Sequence, residues 1–155
     1  MCTEATDEGK IYISHGFEDT YDLGLRLGRQ ASAGELYALY GDLGAGKTAF
    51  TQGFAKGLGI GCPVTSPTFI ICNTYDEGRI PLYHFDAYRI ADPSEMEEIG
   101  YDEMFFGEGV TVVEWADMIE ELLPEDCVRI HIDRVEGIDL DDRRIVVSGI
   151  KDDKG

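Results

Sequence analysis

Apolar residues recur along this chain at two different spacings, which predict strands and helices in alternation. Residues 35–40 form an apolar run of strand length, and Phe50, Phe54 and Leu58 follow it at helical spacing. Residues 14–31 carry apolar positions at the same helical spacing. These positions predict a helix, a buried strand and a second helix, in that order.

Further apolar runs predict a sheet of mixed direction. Strands are expected at residues 11–13, 69–75, 80–85, 110–113, 128–133 and 144–148, and helices at residues 92–99, 102–106 and 116–123. Two successive strand pairs, 69–75 with 80–85 and 128–133 with 144–148, span polar turns and predict β-hairpins, whose strands are antiparallel. The fold class predicted is α/β, a sandwich of three layers with a mixed central sheet.

The length and composition favour one compact domain. At 155 residues, a single domain is expected over residues 10–150, with a flexible tail at 1–9 and a polar tail at 151–155. No apolar run approaches the ~20 residues that span a membrane. The polar, acidic start is unlike a targeting peptide, and the four cysteines form no C-x-x-C pair. These features predict reduced thiols and a cytoplasmic location.

The net charge limits the partners that the chain can bind directly. A formal charge of −18 repels a phosphate backbone, so direct binding of DNA is not expected. Any contact with RNA would be indirect, through a basic protein partner. Solubility, or adaptation of the host to salt, is an alternative reason for the acidity.

Residues 41–48 carry the strongest chemical signal, because they match the phosphate-loop pattern G-x-x-x-x-G-K-[ST] without a mismatch. Glycines let the backbone turn tightly, and its N–H groups then form an anion site at a helix N-terminus. Lys47 can reach the terminal phosphates and Thr48 can bind Mg²⁺. The predicted nucleotide-binding residues here are Asp42, Leu43, Gly44, Ala45, Gly46, Lys47 and Thr48. The strand before the loop and the helix after it make this a P-loop NTPase sandwich.

Two acidic residues follow predicted strands directly, as a magnesium site requires. Asp86 follows the strand at 80–85, and Glu114 follows the strand at 110–113. In such sheets ligands sit at the carboxyl ends of the strands. Either acid could complete a magnesium shell with Thr48, or orient the attacking water. Asp86 could instead be a turn residue that caps the next segment of the chain.

Several other residues have a functional and a structural interpretation. Ser66 and Thr68 could sense a γ-phosphate, or form a plain turn. Arg89 could pair with the nearby carboxylate or reach a phosphate. Trp115 fits either the core or a surface that faces a partner, and His84 is expected in the core or the hairpin.

Absent motifs narrow the class of nucleotide-binding protein. The chain has no N/T-K-x-D guanine-reading motif and no L-S-G-G-Q-like signature, which disfavours a GTPase and a transporter ATPase. Two alternatives to an ATPase stay open. One is a small P-loop phosphotransferase, and the other is a non-catalytic binding module gated by a nucleotide.

Four motifs in this order resemble the TsaE (YjeE) family, the bacterial ATPase of tRNA threonylcarbamoyladenosine biosynthesis. They are residues 41–48, residues 66–69 (S-P-T-F), residues 84–89 (H-F-D-A-Y-R) and residues 114–115 (E-W). The segment that begins at Thr20 also resembles the family's early Thr-x-x-Leu-Gly segment. The likeness covers residues 11–148. Ala87 departs from it, since leucine is usual there, and the C-terminal hairpin is its least characteristic part.

The resemblance implies an ATP hydrolase that is weak alone and stimulated by the TsaB–TsaD pair, which modifies the adenosine beside the tRNA anticodon. It implies ATP and Mg²⁺ as cofactors, with Thr48 and Glu114 holding the metal. Asp86 and Lys47 would be the catalytic residues, and Asp86 would act on or through the attacking water. The two acids could exchange roles. Thr20, which could otherwise cap its helix, would lie near the nucleotide base.

Overall fold

A computed structural model describes most of the chain. The described residues are 2–6, 9–41, 46–61, 64, 72–90, 92, 94–98, 100–105, 107–134 and 142–149, with only the backbone described at 2–6 and at Arg89. Strands are β1 (Cys2–Thr6), β2 (Gly9–Ser14), β3 (Leu36–Tyr40), β4 (Cys72–Tyr75), β5 (Leu82–Asp86), β6 (Val110–Glu114), β7 (Val128–Arg134) and β8 (Arg143–Ser148). Helices are α1 (Phe17–Gln30), α2 (Lys47–Gly57), α3 (Ser94–Glu98) and α4 (Tyr101–Phe105), with 3₁₀ segments at Ala87–Arg89 and Ala116–Leu122.

The strands form one mixed sheet with a parallel centre. Its order is β1-β2-β8-β7-β3-β6-β5-β4, with eight strands in the described part of the chain. Strand β3 is parallel to both β6 and β7, and β5 is parallel to β6. The remaining neighbours are antiparallel, including the two predicted hairpins. The carboxyl ends of β3, β5, β6 and β7 therefore lie along one edge.

Helices cover both faces of this sheet, which confirms the predicted three-layer sandwich. Along β3 the side chains alternate between two cores, with Tyr37 and Leu39 on one face and Leu36 and Ala38 on the other. The first core contains the buried side chains of α1 and α2. The second contains those of α3, α4 and the Ala116–Leu122 segment. Both faces of the central strand are buried, as parallel strands require.

Helices α1 and α2 touch backbone to backbone because each places glycines at the crossing. A Cβ added to Gly24 would lie 2.2 Å from the Phe50 carbonyl oxygen, and one added to Gly53 would lie 2.0 Å from the Tyr21 oxygen. No real side chain tolerates such distances. The glycines therefore set how closely α1 approaches the helix that follows the phosphate loop.

Two elements differ from the prediction. The tail expected at residues 1–9 contains β1, which pairs antiparallel with β2. Backbone hydrogen bonds hold this strand at an edge of the sheet. Its polar sequence lacks the alternation of apolar and polar residues that predicts a strand. The helix expected at 116–123 is a 3₁₀ segment interrupted at Ile119 (φ −131°, ψ 31°).

None of the helices in the described part of the chain combines the length and apolar character that crossing a membrane requires.

Candidate functional site

The phosphate loop leaves β3 and enters α2 through two glycines with positive φ. Gly41 has φ 140° and Gly46 has φ 109°, a region that side-chain-bearing residues rarely adopt. Gly46 is the residue before α2, which begins at Lys47. Four predicted phosphate-binding residues, Asp42, Leu43, Gly44 and Ala45, lie outside the described residues. The two ends of the loop thus have the backbone that the motif predicts.

The side chain of Lys47 is buried beside the loop. Its Nζ donates a hydrogen bond to the Gly41 carbonyl oxygen and lies 3.7 Å from the centre of the Trp115 ring. Only 5% of the residue is exposed. Lys47 therefore places its ammonium group between the start of the phosphate loop and the ring of Trp115. Thr48, the next residue, is exposed.

Trp115 adopts a left-handed backbone conformation directly after β6. Its φ is 58° and ψ 43°, and no other non-glycine residue in the described ranges has positive φ. Such strain costs on the order of 1–3 kcal/mol and clusters at functional sites. The Trp115 ring contacts the Tyr88 ring at 4.8 Å, and Tyr88 is 62% exposed. The aromatic pair connects the buried Lys47 to the protein surface.

Strand β3 is anchored where it enters the loop. The Tyr40 ring stacks on the His131 ring at 4.4 Å and 8°, and its hydroxyl donates to Glu120. Glu120 is also 3.3 Å from Arg129. Burial, and then the hydrogen bond to Glu120, raises the pKa of Tyr40 well above its usual range. The phenol therefore stays a hydrogen-bond donor, which steadies the start of the loop.

Asp86 and Glu114 lie side by side at the sheet edge that carries the loop. They are paired in the register of β5 and β6, and each ends its strand. Alternation along these strands places both on the face covered by α1 and α2, the face of Leu82 and Val112. Asp86 Oδ1 accepts a hydrogen bond of 3.0 Å from the Tyr88 N–H. Asp86 thus caps the 3₁₀ segment and also stands beside Glu114.

His84 contacts Glu114, and sequence reasoning assigned it no place in the site. Its Nε2 lies 2.5 Å from Glu114 Oε2, and the two residues are 1% and 4% exposed. His84 Nδ1 has no hydrogen-bond partner among the described residues. The sequence does contain a signal for this placement. His84 precedes Asp86 by two residues in the same strand, so the two side chains lie on the same face of the sheet.

Thr20 is the fourth residue of α1 and faces the phosphate loop. It is 2% exposed, and its hydroxyl is 2.7 Å from Ser14 Oγ. A Cβ built on Gly46 would be 3.7 Å from Thr20 Cγ2. The structure therefore places Thr20 against the end of the phosphate loop, and it does not cap the helix.

Three further predicted residues lie wholly or partly outside the described part of the chain. Ser66 and Thr68 are outside the described residues, and Arg89 has a described backbone only. The two interpretations of Ser66 and Thr68, a γ-phosphate sensor or a plain turn, and the two of Arg89 all stay predictions.

Thr48 and Glu114 offer oxygen donors of the kind that Mg²⁺ binds. The described residues contain no group of three or more His, Cys, Asp and Glu that could hold a metal by itself. Mg²⁺ instead binds through one or two carboxylates together with substrate phosphates and water. The Thr48 hydroxyl and the buried Glu114 carboxylate are hard oxygen donors of this type.

The family follows from comparison with known proteins. The family model described as "Threonylcarbamoyl adenosine biosynthesis protein TsaE" matches residues 14–145. The chain belongs to the TsaE family. The match runs from the last residue of β2 into β8 and includes Thr20, Lys47, Asp86 and Glu114.

Similar TsaE proteins cover most of the chain. The tRNA threonylcarbamoyladenosine biosynthesis protein TsaE of Bacillus subtilis (strain 168) is 50% identical over 120 residues, 77% of this chain and 73% of its own. The protein of the same name from Streptomyces coelicolor is 42% identical over 133 residues, 83% of this chain and 89% of its own. The crystal structure of Bacillus subtilis YdiB superposes with a TM-score of 0.75 at 36% identity, covering 99% of this chain and 91% of that one. The TsaE resemblance and the fold class are both confirmed.

Proposed function

We propose that this TsaE family member binds and hydrolyses ATP with Mg²⁺, in support of a TsaB–TsaD complex that makes threonylcarbamoyladenosine in tRNA. The observation that carries the proposal is one constellation at one sheet edge. The buried Lys47 follows the phosphate loop, and Asp86 and Glu114 end neighbouring strands on the face that α2 covers. Phosphoryl transfer relies on such positioned charges more than on covalent chemistry.

Each residue has one task in the proposed reaction. Lys47 exchanges its contacts with Gly41 and Trp115 for the terminal phosphates of ATP. Thr48 and Glu114 are the residues that would hold Mg²⁺, which supplies positive charge against the phosphates when bound. Asp86 is held by the Tyr88 N–H through one oxygen, and its carboxylate orients the attacking water or accepts its proton. Thr20, against Gly46, would lie near the base.

The charge and the exposed aromatic pair support a role through protein partners. With a formal charge of −18, the chain repels tRNA, which a partner complex would hold instead. Tyr88 is exposed and contacts Trp115, whose ring contacts Lys47. A partner bound over Tyr88 would therefore be two contacts away from the phosphate-binding lysine.

The first test follows the fate of the γ-phosphate of ATP with Mg²⁺ and purified TsaB–TsaD. Free phosphate is the expected product, and phosphate on an acceptor would show a phosphotransferase instead. Lys47→Ala should weaken ATP binding and turnover. Lys56→Ala, in the exposed last turn of the same helix, is the matched control and should change neither. Equal behaviour of the two variants would remove Lys47 from the site.

The second test distinguishes a catalytic role of Asp86 from a purely structural role as the cap of the 3₁₀ segment. Asp92 makes the same kind of contact, since its Oδ1 accepts from the Ser94 N–H at 3.0 Å, and it is exposed. Asp86→Asn should keep ATP binding and lower turnover by about 10²–10⁴-fold, the usual loss for a general acid–base group. Asp92→Asn should leave turnover unchanged. Undiminished turnover in Asp86→Asn would contradict its assignment.

A further inference from the structure

The contact between His84 and Glu114 joins two neighbouring strands below the phosphate loop. His84 is opposite Val112 in the register of β5 and β6, so Glu114 is its diagonal neighbour on the same face. Diagonal neighbours of this kind are within reach of long and aromatic side chains. The 2.5 Å between His84 Nε2 and Glu114 Oε2 is a short hydrogen bond between two buried groups.

A carboxylate at this depth depends on donated hydrogen bonds. Removing a charged group from water is costly unless donors replace the lost solvation. An ionised carboxylate oxygen only accepts, so this contact requires the tautomer in which His84 Nε2 is the donor. The imidazole ring is planar and fixed by the strand, and it therefore restricts the rotation of the Glu114 carboxylate.

Only one nitrogen of the His84 ring makes a hydrogen bond in the described part of the chain. Its second nitrogen, Nδ1, is buried without a hydrogen-bond partner among the described residues. A histidine retained only for core packing would be replaceable by an apolar residue of similar size. One that is retained for Nε2 would be replaceable only by a side chain that donates from the same place.

We propose that His84 is a positioning residue that orients the Glu114 carboxylate for the metal–nucleotide complex and acts through Nε2 alone. This inference rests on the proposed function, because Glu114 is a proposed ligand of Mg²⁺. Partners that orient a metal ligand in this way typically contribute 10–100-fold to metal affinity.

Three substitutions distinguish this role from packing. His84→Gln retains a donor at the position of Nε2, because the glutamine amide nitrogen is as far along the side chain. His84→Asn places its amide nitrogen at the position of Nδ1, too short to reach Glu114. His84→Leu retains bulk and removes both nitrogens. The measurement is calorimetric binding of ATP at increasing Mg²⁺, compared with binding in EDTA, with thermal melting of each ligand-free variant.

The expected result is a selective change in the requirement for Mg²⁺. His84→Asn and His84→Leu should raise the Mg²⁺ concentration for half-maximal ATP binding by about 10–100-fold, and leave the affinity in EDTA unchanged. His84→Gln should restore most of the wild-type requirement. If the leucine variant does not fold, the comparison of Gln with Asn carries the test. A glutamine variant as impaired as the asparagine variant, or three variants with wild-type Mg²⁺ dependence, would overturn the proposal.

The background variant Glu114→Gln tests whether His84 acts through Glu114. In that background His84→Asn should not raise the Mg²⁺ requirement further, and an additional tenfold rise would contradict a role through the carboxylate. The wild-type protein shows whether the proposed function or only the role of His84 fails. If ATP affinity of the wild type does not depend on Mg²⁺, both the proposed function and this inference are overturned. If ATP affinity depends on Mg²⁺ but is unaffected by the His84 substitutions, only this inference is overturned.

Discussion

At the scale of single residues, the contact of Lys47 with Trp115 connects ligand binding to a measurable signal. The ammonium lies 3.7 Å from the ring centre, and Trp115 is the only tryptophan in the chain. Its emission therefore reports on this one place. Because Lys47 also follows the phosphate loop, the ring senses whether the lysine stays in its ligand-free position.

We predict that the tryptophan emission of the ligand-free protein changes in Lys47→Met. Removing the charge from the ring face alters the electrostatic environment of the indole. Lys56→Met, in the exposed last turn of α2, is the control and should give the wild-type spectrum. Addition of ATP with Mg²⁺ to the wild-type protein should shift the emission in the same direction as Lys47→Met does. Identical ligand-free spectra for all three proteins would contradict the contact.

Sequence reasoning selected Asp86 and Glu114 as candidate acids but could not give their arrangement. Asp86 and Glu114 were selected because each follows an apolar strand, and both do end their strands. The partnership of His84 with Glu114 depends on the register between two strands 30 residues apart in the chain. The left-handed Trp115 likewise has no local signal, since bulky residues avoid positive φ.

At the scale of elements, the close packing of α1 on α2 sets the position of the loop. Gly24 and Gly53 allow backbone contact between the helices, and the same α1 carries Thr20 against Gly46. The geometry at the end of the phosphate loop thus depends on residues outside the loop.

We predict that Gly53→Ala destabilises the protein by about 1–3 kcal/mol, because a methyl group there forces the helices apart. Since α1 would move away from the loop, ATP affinity should also fall. The measurements are urea denaturation and calorimetric ATP binding. Gly16→Ala is the control, because its backbone is extended and a Cβ there meets nothing within 4 Å. Unchanged stability in Gly53→Ala would contradict the described crossing.

Regular elements with an apolar pattern could be predicted from sequence, and those held by the backbone alone could not. Strand β6 is buried along its whole length and matches the predicted run at 110–113. Strand β1 is polar and pairs only at an edge, so its sequence resembles a tail. The close crossing of the helices was not predicted. Its glycines at 24 and 53 lie within α1 and α2, and the spacing of apolar residues carries no information about glycine.

At the scale of the whole molecule, the parallel centre and antiparallel flanks gather the site at one edge of one sheet. Strands β3, β5 and β6 end there, at the loop, Asp86 and Glu114. The two predicted hairpins indicated a mixed sheet. The order in which β7 and β6 flank β3 comes from packing between distant segments, which no local pattern encodes.

We predict that the free energy of unfolding falls as pH rises above about 9. Burial raises the pKa of the Cys72 thiol from 9.0 to about 11, and burial also raises the pKa of Tyr37. The folded protein then binds more protons than the unfolded chain, so stability present below pH ~9 is lost towards pH ~11. Urea denaturation across this range measures it, and Cys72→Ala should reduce the slope. Stability that is flat or rising there would contradict the buried state of these groups.

The central claim is a site whose turnover responds to a partner complex. Its most direct test is steady-state release of phosphate from ATP with Mg²⁺, by this chain alone and with purified TsaB–TsaD. We expect slow release alone, a clear rise with the pair, and loss of that rise in Asp86→Asn but not in Asp92→Asn. The same rate with and without the pair, or a rise that survives Asp86→Asn, would contradict the claim.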